Sequence, residues 1–156
     1  RLNTTAGLGD FAAASALLLL LPATPLLFQG QEFAASTPFQ YFTEHEQGLG
    51  RLVTEGRRQE FAAFSAFSDP AVRDLIPDPQ ATATFVDSRV PWAEAERGAG
   101  RLLRGLYREL LRLRAQDPVL VEARRGRPPL TVTAAGERAI AVHIETNPQS
   151  DAVSQP

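Results

Sequence analysis

The stretch Thr24-Pro25-Leu26-Leu27-Phe28-Gln29-Gly30-Gln31-Glu32-Phe33 carries the reading of the fold. Leu26 to Phe28 form a short, continuous apolar run behind two prolines, Pro22 and Pro25, and ahead of a polar segment from Gln29 to Glu32. A run of this kind fits a fully buried parallel strand with a polar carboxyl end. Upstream, Phe11 to Leu21 is built of alanines, leucines and one serine, apolar all round, as expected of a helix buried on most faces, with Asp10 as its N-cap. Helix, proline turn and buried strand in succession make half of a β/α repeat of a parallel barrel. In such barrels the carboxyl ends of the strands face the active site, which puts Gly30, Gln31 and Glu32 at a pocket rim.

Downstream, residues 33 to 56 are rich in aromatics and glycine and read as a long loop, functional or mobile, containing Phe39, Tyr41, Phe42 and His45. Phe61 and Phe64 then predict a short amphipathic helix over 57–67. Pro70, Pro77, Pro79 and Pro91 predict a mostly irregular stretch before Trp92. The clearest element is a helix over 100–115, where Leu102, Leu106, Leu110 and Leu113 fall within roughly 80° of one another. Arg101, Arg104, Arg108 and Arg112 take the opposite, solvated face, and Asp117-Pro118 ends the helix. Beyond it the pattern changes to period two, with Leu130, Val132 and Ala134, a turn at Ala135-Gly136, then Ile140, Val142 and Ile144. That pattern predicts an antiparallel hairpin. Residues 147–156 read as a loose polar tail.

The 156 residues suffice for one ordinary core, and the absence of methionine in a chain starting at Arg1 suggests a cut inside a longer polypeptide. With no cysteine there is no disulfide, thiolate metal site or cysteine nucleophile. The 16 basic residues are all arginine and are balanced by 18 carboxylates, so the net charge of −2 gives no reason to expect nucleic acid as a partner. The run Leu17 to Leu21 belongs to an apolar segment far shorter than the roughly 20 residues that span a bilayer, so no membrane partner is expected. No serine-nucleophile, phosphate-loop or dinucleotide motif occurs.

Two histidines in different predicted domains, without ligand-spaced neighbours, argue against a metal, and no cofactor is expected. His143 reads as a surface residue of the hairpin. His45 reads either as a sugar contact or as a loop hydrogen bond. Glu32 is the carboxylate to single out. It reads either as a group presented at the pocket mouth or as a paired carboxylate bracing the barrel rim. Planar amides and aromatic rings suit carbohydrate, whose C–H faces stack and whose hydroxyls hydrogen-bond; Gln29, Gln31, Phe39, Tyr41 and Phe42 supply both.

The motif from Thr24 to Phe33, with proline, an aromatic residue and Gly-x-Glu in that order, is similar to the eighth-strand motif of α-amylase-family barrels. Ser36 to His45 and Gly50 to Phe61 resemble the segments that follow this strand in malto-oligosyltrehalose trehalohydrolases, and the resemblance covers about residues 1 to 121. It implies an α/β fold made of the C-terminal part of a TIM (β/α)8 barrel (1–118), followed by a small antiparallel β domain (119–146) shorter than the family's. It further implies a cytoplasmic retaining glycoside hydrolase that cuts the α-1,4 bond beside the terminal trehalose of malto-oligosyltrehalose. Such enzymes use a nucleophilic aspartate, a glutamate acid/base of raised pKa and a third aspartate. In the family these precede the segment matched by Arg1 to Thr5, so the chain alone is expected to be inactive and to need the remainder of the barrel to fold. Gln31, Glu32, Phe42 and His45 are the candidate substrate-binding residues. A non-catalytic carbohydrate-binding module and a piece of another amylase-family enzyme, such as a branching enzyme, are the alternatives.

Overall fold

The computed structural model describes residues 1–62, 76–126, 129–137 and 139–145. Among the described residues the α-helices are α1 (Leu2–Thr5), α2 (Leu8–Leu20), α3 (Gln47–Ala62), α4 (Thr82–Asp87), α5 (Gly98–Gln116) and α6 (Pro118–Gly126). Short 3-10 helices lie at Gln31–Phe33 and Trp92–Glu96, and a hairpin of β1 (Leu130–Ala134) and β2 (Ile140–Ile144) closes the order.

α5 is the hub, packing on α2, on both 3-10 turns and on α6. Two small apolar clusters form around it. Leu19 of α2 meets Tyr107 and Leu110 of α5, and Phe33 and Ala35 meet Ala95 and Val90. α5 runs over the predicted span, but its buried stripe is Leu103, Tyr107, Leu110 and Arg114. The stripe is therefore turned by roughly 70° from the predicted leucine face. Leu102 is 72% exposed, and Leu106 and Leu113 are only half-buried. Leucine spacing shows that one side of the helix is apolar, but its partners set which line is innermost. Here Tyr107 finds a hydroxyl on α2, and Arg114 donates to the carbonyls of Leu19, Leu21 and Ala23 at 2.6–2.7 Å. Those carbonyls lie at and just beyond the C-terminal end of α2, where the helix leaves acceptors without internal donors.

α2 departs from the expectation of burial on most faces. Only Phe11, Ser15 and Leu19 are buried, a stripe at i, i+4 and i+8, while Ala13, Ala14 and Leu17 are exposed. Its N-cap is Gly7, with Asp10 in the first turn. The buried parallel strand at Leu26 to Phe28 is likewise absent as a ladder: Leu26 is 89% exposed, with Leu27 and Phe28 also open. A strand of a parallel sheet exists only against neighbours on either edge, and the described residues contain no other strand beside this run.

α3 starts ten residues before the predicted 57, replacing much of the expected loop; Phe64 and the rest of that predicted helix to 67 lie outside the described residues. Gly48, Gly50 and Gly56 are weak helix formers, yet a Cβ on Gly50 would press on the Gln80 side chain at 3.0 Å. A larger residue there would have to displace the Gln80 side chain. Thr54 Oγ1 donates to Asp78 Oδ1 at 2.8 Å, tying α3 to the segment before α4. α4 itself interrupts the stretch expected to be irregular. After α5, Asp117 accepts from Leu120 N at 3.1 Å and Pro118 opens α6, so the chain re-enters helix where a β region was expected to start.

The hairpin forms as predicted. Leu130 faces Ile144, Val132 faces Val142 and Ala134 faces Ile140, all on one face, while His143 lies opposite Thr131 on the other and is exposed. Neither face is fully buried. The predicted tail lies outside the described residues. No helix among the described residues is long and apolar enough to cross a membrane.

Candidate functional site

The turn after Phe28 sets the site. Gly30 has φ 74°, and a Cβ there would come 2.8 Å from the Ala35 Cβ. The missing side chain at Gly30 is therefore needed for the chain to fold back on itself. Ala35 N donates to Gly30 O at 2.8 Å and Ala34 N to Gln31 O at 3.1 Å, with Ala34 also left-handed at φ 55°. Asn3 Nδ2 donates to Ala34 O at 2.9 Å, fastening the turn to α1. Arg1 reaches across from the other side, its Nε donating to Thr37 O and its Nη1 to Gln29 O at 2.8 Å, with the guanidinium 5.5 Å from the Phe28 ring centre.

From this turn a row of rings runs along the following loop. Phe28 meets Phe39 edge-on at 5.3 Å, Phe39 meets Phe42 at 5.6 Å, and Phe42 meets Phe85 of α4 at 5.2 Å. Edge-to-face spacing at these distances is attractive beyond simple burial. Phe28, Phe39 and Phe85 nevertheless remain exposed, so the row forms a surface feature. Beside it Arg57 lies 4.6 Å from the Tyr41 ring centre and 5.0 Å from that of Phe61.

The four candidate residues do not share one hollow. Gln31 lines a cavity of about 530 Å³ together with Asn3, Phe11, Ser15, Phe28 and Phe39. Glu32 lies on the other side of the turn, in an open hollow with Phe28, Arg104, Tyr107 and Arg108. It is half-buried and has no hydrogen-bond or ion-pair partner among the described residues, so the paired-carboxylate reading finds no partner here. Phe42 lines a third hollow of about 450 Å³ with Glu44, Gln80, Thr82 and Phe85. His45 is exposed outside all three; its Nε2 pairs with Thr43 Oγ1 at 2.9 Å, and its backbone N donates to Gln80 Oε1 at 2.9 Å. The aromatic row joins the hollows of Gln31, Glu32 and Phe42, and His45 lies apart from it.

Two carboxylates near the site are held ionised. Glu94 accepts from Ser36 Oγ at 2.6 Å and Ser36 N at 2.9 Å; the hydroxyl bond first, then the amide, holds its pKa below the usual range. Asp78 is lowered by Gln80 N, then by the Thr54 hydroxyl. No group of three or more His, Asp or Glu side chains among the described residues is placed to hold a metal ion.

No family model matches the sequence. Individual proteins do. The malto-oligosyltrehalose trehalohydrolase of Deinococcus radiodurans is 48% identical over 150 residues, covering 90% of this chain and 24% of the relative. That of Arthrobacter ramosus is 46% identical over 125 residues, covering 80% of this chain and 21% of the relative. The chain belongs to the malto-oligosyltrehalose trehalohydrolase family. A solved structure named as an α-amylase from Salmonella typhimurium superposes with a TM-score of 0.71 at 38% identity, over 87% of this chain and 22% of that one. The chain thus spans about a quarter of the length of the trehalohydrolases it matches.

Arg1, Asn3, Ser15 and Tyr107 were not singled out from the sequence, although they build the wall around Gln31. Tyr107 left one trace: it is the one aromatic residue of α5, and a buried tyrosine hydroxyl needs a partner.

Proposed function

We propose that this chain supplies the last β/α units and a rim of the substrate groove of a retaining, α-amylase-type glycoside hydrolase. The complete enzyme releases trehalose from malto-oligosyltrehalose by cutting the adjoining α-1,4 bond. In this reading Leu26 to Phe28 become the eighth barrel strand once neighbouring strands flank them, residues 119–146 belong to a C-terminal β domain, and Gln31, Glu32, Phe42 and His45 line the rim. The nucleophile, acid/base and third aspartate come from residues outside this chain, so the chain alone does not hydrolyse.

The observation that carries the reading is the 48% identity spread over 90% of the chain to a trehalohydrolase four times its length. The 89% exposure of Leu26, inside an apolar run that ends in the Gly30 turn, supports the barrel-strand assignment. A large aliphatic side chain in such a run is normally covered.

The test compares this polypeptide with the complete native protein that carries its sequence, measuring trehalose released from malto-oligosyltrehalose. Release by the complete protein and none by the chain is expected. A complete protein that shows no preference for the trehalose end, or a purified chain that turns over, would defeat the proposal. Saturable binding of malto-oligosaccharide by a complete protein without hydrolysis would instead favour a binding module, the reading to which the exposed row Phe28, Phe39 and Phe85 also lends itself.

A further inference from the structure

Both ends of the Gln31 amide are engaged inside the protein. Its Oε1 accepts from Phe28 N at 3.1 Å, and its Nε2 donates to the Tyr107 hydroxyl at 3.0 Å. That hydroxyl donates onward to Ser15 Oγ at 2.8 Å, and Ser15 donates to Phe11 O at 2.8 Å. Tyr107 and Ser15 are each 2% exposed. The chain of donors therefore runs in one direction, from the rim through α5 into α2, and deleting the Tyr107 hydroxyl removes both the acceptor of Gln31 Nε2 and the donor to buried Ser15 Oγ.

The turn at the rim end of this relay needs an external hold. It contains two left-handed residues, and the second, Ala34, lacks the freedom of glycine. Its own backbone bonds join only nearby residues. Asn3 ties down the far end through the Ala34 carbonyl. Tyr107 ties down the near end through Gln31, and the Phe28 amide held by that same side chain belongs to the first ring of the aromatic row.

We infer that Tyr107 is a positioning residue for the rim. It holds Gln31, Gln31 holds the turn from Phe28 to Phe33, and Gln31 therefore serves by fixing Phe28 and Glu32 in place, its amide being already engaged. This rests on the carbohydrate reading above and names the residue that regulates the shape of that site.

The test is Tyr107→Phe in the complete native polypeptide, which keeps the ring between Leu19 and Leu110 and removes only the hydroxyl. Two readouts are taken together. KM for malto-oligosyltrehalose is expected to rise about fivefold with kcat within about twofold, as for loss of binding shared by ground and transition states. Hydrogen exchange at the Phe28 amide is expected to accelerate about tenfold, with the Leu110 amide unchanged. A lower melting temperature with unchanged KM would mean a purely structural role and would overturn the inference. So would a raised KM with unchanged Phe28 exchange, because the effect would not pass through the turn. Should Tyr107→Phe not fold, Gln31→Met, at a half-buried position, is expected to give the same pair of shifts, and wild-type values for it would also overturn the inference. A wild-type polypeptide that leaves malto-oligosyltrehalose intact would instead remove the carbohydrate reading. The Phe28 exchange rate would then decide by itself whether Tyr107 holds the turn.

Discussion

Gly100 and Gly105 lie in the same helix, and alanine is expected to act oppositely at the two. A Cβ on Gly105 would meet nothing within 4 Å, and the position is exposed. Gly105→Ala then collects only the helix-propensity gain, about 0.8–1 kcal/mol. A Cβ on Gly100 would overlap the Glu94 carbonyl oxygen and come 2.9 Å from the Glu94 carbonyl carbon and 3.3 Å from the Phe33 carbonyl oxygen. All three atoms are backbone, so no side chain can swing aside, and relief requires lifting the start of α5 off the two 3-10 turns. Overpacking of this kind costs about 1–3 kcal/mol, and more where the surroundings are rigid. The propensity gain near a helix start is at most about 1 kcal/mol, so the clash wins and Gly100→Ala is expected to lose about 2 kcal/mol. For a chain of this size that lowers the melting midpoint by about 4–8 °C, whereas Gly105→Ala raises it by about 2–4 °C. Trp92, the single tryptophan, sits 5.8 Å from Phe33 in the turn that Gly100 touches and reports the transition by fluorescence. A Gly100→Ala protein as stable as the parent would refute the close packing of α5 on the Glu94 and Phe33 carbonyls.

Three further outcomes are expected. Arg114→Met removes three charged donors from the carbonyls of Leu19, Leu21 and Ala23 and should cost about 3 kcal/mol in urea unfolding. Arg114→Lys should recover less than half of that, because one ammonium cannot reproduce the fork. Glu94 has a folded pKa below its ordinary 4.5, so its contribution to stability is complete above that value and is lost as pH falls through the lowered one. Acid titration of Trp92 fluorescence should therefore show a step below pH 4.5 that Ser36→Ala shifts upward and Glu94→Gln abolishes; an unchanged titration in both would count against the clamp. With Leu26, Val132 and Ile140 each more than half exposed, the chain by itself should bind a hydrophobic dye and self-associate, and the complete protein should not. A monomeric, non-binding chain would show that these faces need no cover.

Local rules were enough wherever the deciding physics is local. The 3.6-residue spacing of leucines revealed α5, the Asp117-Pro118 pair marked its end, and the period-two alternation revealed the two strands of the hairpin, because each depends on residues a few positions apart; the register, Ala134 opposite Ile140, came from the structure. The motif from Thr24 to Phe33 pointed to the family, but the tight turn at Gly30 emerged only in the folded chain. Other features depended on partners distant in the chain. Gly50 reads as a loop residue until the structure places it within α3 with the Gln80 side chain, thirty positions on, packed against it. Leu102 reads as core until Tyr107 and Arg114 find their acceptors on α2 and turn the helix away from it. Leu26 to Phe28 have the composition of a strand, but strand structure is a pairwise property of backbones, and no other strand pairs with them among the described residues. Sequence alone thus determined which segments are apolar, where they turn and which family they resemble. Tertiary structure decided which apolar face is covered and which polar group, such as the Gln31 amide, is already engaged, because burial and hydrogen-bond satisfaction belong to pairs of groups and not to single residues.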